Sequence, residues 1–86
     1  MTKKVEIYTG PFCYYCKKAL ALLDKENINY IKIDLGVNPD KRKEMLERSN
    51  GKITIPQIFI DMKSIGGYDE LNHIYLKGKL HDILKD

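Results

Sequence analysis

Between Tyr8 and Cys16 the spacing of apolar residues changes period, and that change constrains the fold more than any other feature of the chain. Lys4-Val5-Glu6-Ile7-Tyr8 alternates apolar with polar, the pattern of a half-buried strand, and Gly10-Pro11 breaks it. From Cys16 onward Ala19, Leu20 and Leu23 recur at i+3, i+4 and i+7, which is one face of a helix, with Lys17 and Lys18 turned aside. The reading is a strand over 4–8, then a helix over about 14–26 with two cysteines at its mouth.

The same reasoning extends along the chain. Ile31, Ile33 and Leu35 alternate with Lys32 and Asp34, predicting a second strand over 29–35. Asn38 offers an N-cap, Pro39 suits the first helical position and Asp40 favours the first turn, so a second helix is expected to run to about Ser49 and end at Asn50-Gly51. Gln57-Ile58-Phe59-Ile60-Asp61 reads as a strand, joined by Met62-Lys63 to a partner over 64–66. Leu71, Ile74 and Tyr75 mark a third helix starting near Asp69, and Leu80, Ile83 and Leu84 a short terminal one after Gly78.

The order β, α, β, α, β, β, α predicts an α/β chain: a crossover between two parallel strands, then an antiparallel hairpin. Those elements make a four-stranded mixed sheet with helices on both faces, a thioredoxin-like plan. Eighty-six residues with 43% hydrophobic content fit one domain over 1–86, without repeats or a linker. A charged fraction of 31% with a net charge of +3 argues against disorder and against a strong nucleic-acid preference. No apolar run is long enough for a membrane span, and MTKKVEIYTG lacks the pattern of a signal peptide, so the expected location is the cytoplasm.

In a reducing cytoplasm a cysteine pair is redox-active or metal-binding rather than a staple, and a bridge across Cys13-Tyr14-Tyr15-Cys16 would restrict the unfolded chain only slightly. A cysteine at a helix start has its sulfur near unpaired N–H groups and the positive end of the helix dipole, which favours the thiolate. Cys13 holds that place. Cysteines so placed titrate well below the free value of about 8.5 and attack disulfides near neutral pH. Cys16 heads the apolar stripe, so it is expected to be shielded, a poor first attacker but well placed to displace a substrate from Cys13. The competing reading is zinc. It lacks half its ligands: His73 and His81 are separated by seven residues, outside the usual spacing, and there is no second cysteine pair.

Cys13-Tyr14-Tyr15-Cys16, then Thr54-Ile55-Pro56, then Ile65-Gly66-Gly67-Tyr68-Asp69-Glu70 resemble the glutaredoxin family in order and spacing, over nearly the whole chain. The resemblance implies a glutathione-dependent thiol–disulfide oxidoreductase, with Cys13 and Cys16 catalytic. It implies that Tyr15 contacts bound glutathione and that the Ile55–Pro56 bond is cis and faces the cysteines. The backbone around Thr54, Ile55 and Pro56 is then free to pair with the cysteinyl part of glutathione. Gly66-Gly67 would admit a ligand close to the backbone, the following helix start would receive the γ-glutamyl carboxylate, and Asp69 would meet its ammonium group. Glutathione is the co-substrate, with no tightly bound cofactor and no metal; the partners are glutathionylated or disulfide-containing proteins, and the working unit is a monomer.

Three departures from the family pattern stand out. Tyr14 replaces the proline of Cys-Pro-Tyr-Cys, removing a rigid residue from the helix start. Glu70 stands where relatives commonly have aspartate. Gly10 occupies the place of a lysine directed at the glycyl carboxylate, so weaker glutathione binding is expected than in a lysine-bearing relative, unless Arg42, Lys43, Lys17 or Lys18 compensates. Gly51-Lys52-Ile53-Thr54 is not a phosphate-binding loop, because Leu46 replaces the earlier glycine and Ile53 intervenes before the threonine.

The expected cycle has Cys13 attack the glutathione sulfur of a mixed disulfide, after which a second glutathione removes the first. Cys16 is needed only when the substrate is a protein dithiol pair. Two other functions share the motif: a redoxin reduced directly by thioredoxin reductase, and a carrier holding a two-iron two-sulfur cluster between two chains with glutathione.

Overall fold

The computed structural model describes residues 2–86. Its elements are β1 (Val5–Thr9), α1 (Tyr14–Lys25), β2 (Ile31–Asp34), α2 (Lys41–Arg48), β3 (Gln57–Ile60), β4 (Lys63–Gly66), α3 (Tyr68–Leu76) and α4 (Leu80–Leu84). The four strands form one mixed sheet in the order β2-β1-β3-β4. β1 runs parallel to β2, with Ile7 opposite Lys32, and antiparallel to β3, with Ile7 opposite Ile58. A parallel pair needs a long crossover, which α1 supplies; the antiparallel β3–β4 pair needs only a turn. The sheet and its flanking helices are the thioredoxin-like plan expected from the sequence.

Strand side chains alternate between faces, so the sheet feeds two cores. Val5, Ile7, Ile58 and Ile60 pack against Ala19, Leu22 and Leu23 of α1, Leu71 of α3, and Leu80 and Leu84 of α4. On the other face Tyr8 and Phe59 meet Leu35 and Met45, the latter from α2. The second core corrects the sequence reading of β1: the strand is buried over all five residues, not half-buried.

Glu6 is the reason its alternation misleads. It is buried because Arg48 reaches across from α2 to make a two-pronged contact, Nη2 to Oε1 at 2.8 Å and Nη1 to Oε2 at 3.2 Å. The same guanidinium lies 4.3 Å from the Phe59 ring centroid and donates to the Tyr8 hydroxyl at 2.8 Å. Tyr8 in turn donates to the Glu44 carboxylate. Burial, and then the bond to Glu44, push the Tyr8 phenol up to about 12. The Tyr8 hydroxyl holds the Glu44 carboxyl below its usual range. Removing one partner of such a buried pair leaves an uncompensated charge, which costs about 3 to 5 kcal/mol.

Several boundaries differ from expectation, β1 among them, which runs Val5–Thr9 rather than 4–8. β2 is trimmed to Ile31–Asp34, inside the expected 29–35. α2 starts at Lys41, because the N–H groups of Lys41 and Arg42 bond to the carbonyls of Asn38 and Pro39 in tight i to i−3 turns ahead of the helix. Asp40, not Asn38, is therefore the N-cap, and it makes no side-chain capping bond. The β3–β4 turn is Asp61-Met62, one residue earlier than expected. Both residues have positive φ, 51° and 69°, the two-residue loop whose twist matches a hairpin. The end of α2 is as read: Asn50 turns left-handed at φ 60° and the Gly51 N–H closes on the Leu46 carbonyl at 2.8 Å.

Candidate active site

Cys13 caps α1. Its backbone is extended, at φ −106° and ψ 103°, and its sulfur accepts the N–H of Cys16 at 3.2 Å. The first turn carries no acidic residue, so nothing within the helix competes with the sulfur for the positive end of the dipole. Cys16 lies one turn along and is only 2% exposed, on the face that buries Ala19, Leu22 and Leu23. The two cysteines are joined as a disulfide, with 5.2 Å between their Cα atoms.

The sheet brings a second segment to this sulfur. The Ile55 carbonyl oxygen lies 3.8 Å from Cys13 Sγ, and the Ile55–Pro56 peptide bond is cis. Gln57, at the start of β3, donates through Nε2 to the Thr54 carbonyl at 2.9 Å and to the Thr54 hydroxyl at 3.2 Å, so the chain before β3 is held in a fixed bend. Gly10 adjoins the same segment. A Cβ there would stand 2.7 Å from Ile55 Cδ1, so the end of the isoleucine fills the space a longer residue at position 10 would enter.

Beside the disulfide opens a cavity of about 330 Å³. Tyr15, Thr54, Ile55, Pro56, Gly67, Asp69 and Glu70, read from sequence as ligand contacts, all line it. Lys52, Gln57, Gly66 and Tyr68 line it too. α3 starts on its wall, with Gly67 as N-cap and Asp69 and Glu70 in the first turn. The Glu70 carboxylate folds back to accept the Gly67 N–H at 2.6 Å, so in this state it serves its own helix start.

Tyrosines form the adjoining rim. The rings of Tyr15 and Tyr68 lie 6.0 Å apart at 32°, and Tyr14 meets Tyr15 edge-on at 5.4 Å. Lys18 stands over this group, 4.7 Å from the Tyr68 centroid, and so is held by ring faces. Of the cations read as substitutes for a lysine at position 10, Arg42 reaches the Ile53 carbonyl at 3.4 Å and Lys43 is exposed on α2. The cation on the cavity wall is instead Lys52.

The glutaredoxin family profile matches residues 5–65. The chain belongs to the glutaredoxin family. Glutaredoxin 3 of Escherichia coli (strain K12) is 44% identical over 81 residues, covering 94% of this chain and 96% of that protein. Among solved structures, the glutaredoxin of Brucella melitensis superposes with a TM-score of 0.82 at 43% identity, covering 98% of this chain and 90% of that one. A buckwheat glutaredoxin in complex with glutathione gives 0.82 at 27% identity, covering 95% and 76%. As a glutaredoxin the chain is an enzyme, a glutathione-dependent thiol–disulfide oxidoreductase.

Sequence reading missed Lys52, Gln57 and Tyr68 as parts of this glutaredoxin's site. Tyr68 carries the clearest signal, an aromatic directly after two glycines at a helix start. Gln57 sits in a run that reads simply as a strand, and Lys52 is one of many surface lysines. Among the described residues no helix is long and apolar enough to cross a membrane.

Proposed function

We propose that Cys13 is the attacking sulfur and Cys16 the resolving one. The observation that carries this is the position of the Cys13 sulfur. It accepts a helix N-terminal N–H at 3.2 Å and lies 3.8 Å from the carbonyl oxygen of Ile55, which lines the cavity, while Cys16 is buried behind it. In the reduced enzyme the Cys13 thiolate attacks the glutathione sulfur of a mixed disulfide. The old S–S bond breaks, the protein leaves as a thiolate that takes a proton from solvent, and glutathione stays on Cys13. A second glutathione thiolate attacks that bond, releases oxidised glutathione and restores Cys13. With a protein disulfide, Cys13 forms the mixed disulfide and Cys16 closes on Cys13 to expel the reduced target.

Glutathione fits the cavity by its charges and its backbone. Its cysteinyl amide groups pair with the free backbone of Ile55, beside Cys13 Sγ and ahead of the cis proline. The γ-glutamyl carboxylate meets the N–H groups at the start of α3, and its ammonium meets Asp69. Tyr15 covers the cysteinyl part. Lys52 takes the glycyl carboxylate that a lysine at position 10 would otherwise hold. The setting is the cytoplasm, where glutathione keeps the pair reduced, and a monomer suffices, since each step uses groups of one chain.

The test is steady-state reduction of a glutathione mixed disulfide, coupled to glutathione, glutathione reductase and NADPH, for the intact protein and Cys16→Ser. Both should turn over, while reduction of a protein disulfide should be lost in Cys16→Ser. A Cys16→Ser protein unable to deglutathionylate would overturn the assignment.

A further inference from the structure

Two of the rings that line the cavity stand at its open rim. Tyr15, in the first turn of α1, is 53% exposed, and Tyr68, the first residue of α3, is half-buried. They belong to different helices, and their centroids lie 6.0 Å apart at 32°. An exposed ring keeps much of its rotamer freedom, and a ligand that needs it in one place must first immobilise it.

Lys18 sits where it can do that in advance. Its ammonium lies 4.7 Å from the Tyr68 centroid, 5.5 Å from that of Tyr14 and 5.8 Å from that of Tyr15, within reach of cation–π attraction for all three rings. Lys17, next to it, is exposed as a surface lysine ordinarily is, whereas Lys18 is half-buried. Among the described residues Lys18 forms no ion pair, so its charge is directed at the rings. One cation thus joins the mouth of α1 to that of α3. We infer that Lys18 is a positioning residue for the reaction: by gathering the Tyr15 and Tyr68 rings around one ammonium, it presents them to glutathione as a preformed wall. This role rests on the reading of the cavity as the glutathione site; what it adds is a cation whose effect passes through the rings. That separates it from two other uses of a lysine so close to the cysteines, a counter-charge for the Cys13 thiolate and a partner for the glycyl carboxylate. Either of those would act whether or not Tyr68 is present.

The test is a double-mutant cycle read in kcat and KM for the glutathione mixed disulfide of 2-mercaptoethanol, with alkylation of the reduced protein across pH as a second readout. Lys18→Met keeps an unbranched stem without the charge, and Lys18→Arg keeps a cation. Tyr68→Leu removes the ring that the ammonium approaches most closely. Lys18→Met should raise KM roughly threefold at nearly constant kcat and leave the alkylation midpoint of Cys13 in place, and Lys18→Arg should recover most of the lost KM. Tyr68→Leu should raise KM about fivefold, and adding Lys18→Met to it should raise KM by less than about 1.5-fold further. An unchanged KM in Lys18→Met, with Tyr68→Leu impaired, overturns the inference alone. So does an equal loss from Lys18→Met with and without Tyr68, which would make Lys18 a ligand contact, or an upward move of the alkylation midpoint, which would make it a counter-charge. An unchanged KM in Tyr68→Leu overturns the reading of the cavity, and the role of Lys18 with it.

Discussion

α1 and α3 both begin at the cavity, and both start from an N-cap in extended backbone, Cys13 at φ −106° and Gly67 at φ −101°. Each start presents N–H groups without intrahelical partners and the positive end of a dipole. Their first turns differ. α1 has no acid there, and its N–H from Cys16 goes to a sulfur; α3 has Asp69 and Glu70, and Glu70 already accepts the Gly67 N–H. One backbone motif thus yields two electrostatic surfaces. The α1 start is purely positive and suits an anion, the Cys13 thiolate. The α3 start sets donors beside carboxylates and suits a zwitterion such as the amino-acid end of a γ-glutamyl peptide.

The strongest way to break this comparison is to remove the anion from the first helix. Cys13→Ser should lower turnover of any disulfide by roughly a thousandfold or more, measured in the coupled assay, because serine is not ionised near neutral pH. At the second helix, Asp69→Asn removes a charge while keeping the shape. It should raise KM for a glutathione mixed disulfide by about tenfold with kcat little changed, a loss typical of a hydrogen bond to a charged group. An unchanged KM would mean that α3 reads only the carboxylate.

A subtler test makes the first helix resemble the second. Tyr14→Glu places a carboxylate in the α1 first turn, which disfavours the neighbouring thiolate and raises the Cys13 pKa. Alkylation of the reduced protein below that pKa should slow by roughly two- to fivefold, and the midpoint of its pH profile should move upward. The smallest effect on activity is expected from Tyr8→Phe, which touches neither helix start. Its phenol is raised from 10.0 to about 12 in the fold, so the folded state holds its proton more tightly than the unfolded one. That contribution is intact below pH 10 and is lost as pH rises through about 12, a decline of about 2 to 3 kcal/mol. Denaturation across this range should show a smaller decline in Tyr8→Phe than in the intact protein, the remainder coming from Tyr30, whose phenol is also raised by burial and its bond to Asp24, with neutral-pH activity equal in both.

Sequence reasoning reached the α1 start directly, because capping, helical periodicity and cysteine placement are local. It also placed Thr54, Ile55 and Pro56 at the site, through resemblance. It failed where distant residues decide. Nothing near Glu6 announces that Arg48, 42 residues away, will bury it, so a strand covered on both faces read as half-buried. Asn38-Pro39-Asp40 satisfies the composition of a helix start, yet the carbonyls of Asn38 and Pro39 are used in tight turns, and the helix waits until Lys41. Lys52 and Gln57 belong to the cavity because of how the chain bends before β3, which their residue types do not reveal.

The fold-back of Glu70 onto Gly67 bears on how tightly a ligand carboxylate could be held there. With its own carboxylate on that amide, the resting site holds an occupant that mimics part of what it is meant to receive. A ligand carboxylate seeking the Gly67 N–H arrives by exchange, evicting one anion to seat another, and only the difference between the two bonds contributes to its retention. When the ligand leaves, Glu70 can reclaim the amide as it goes. Such an internal placeholder lowers the net gain on binding, so a ligand carboxylate would be held at Gly67 less tightly than at an amide left open.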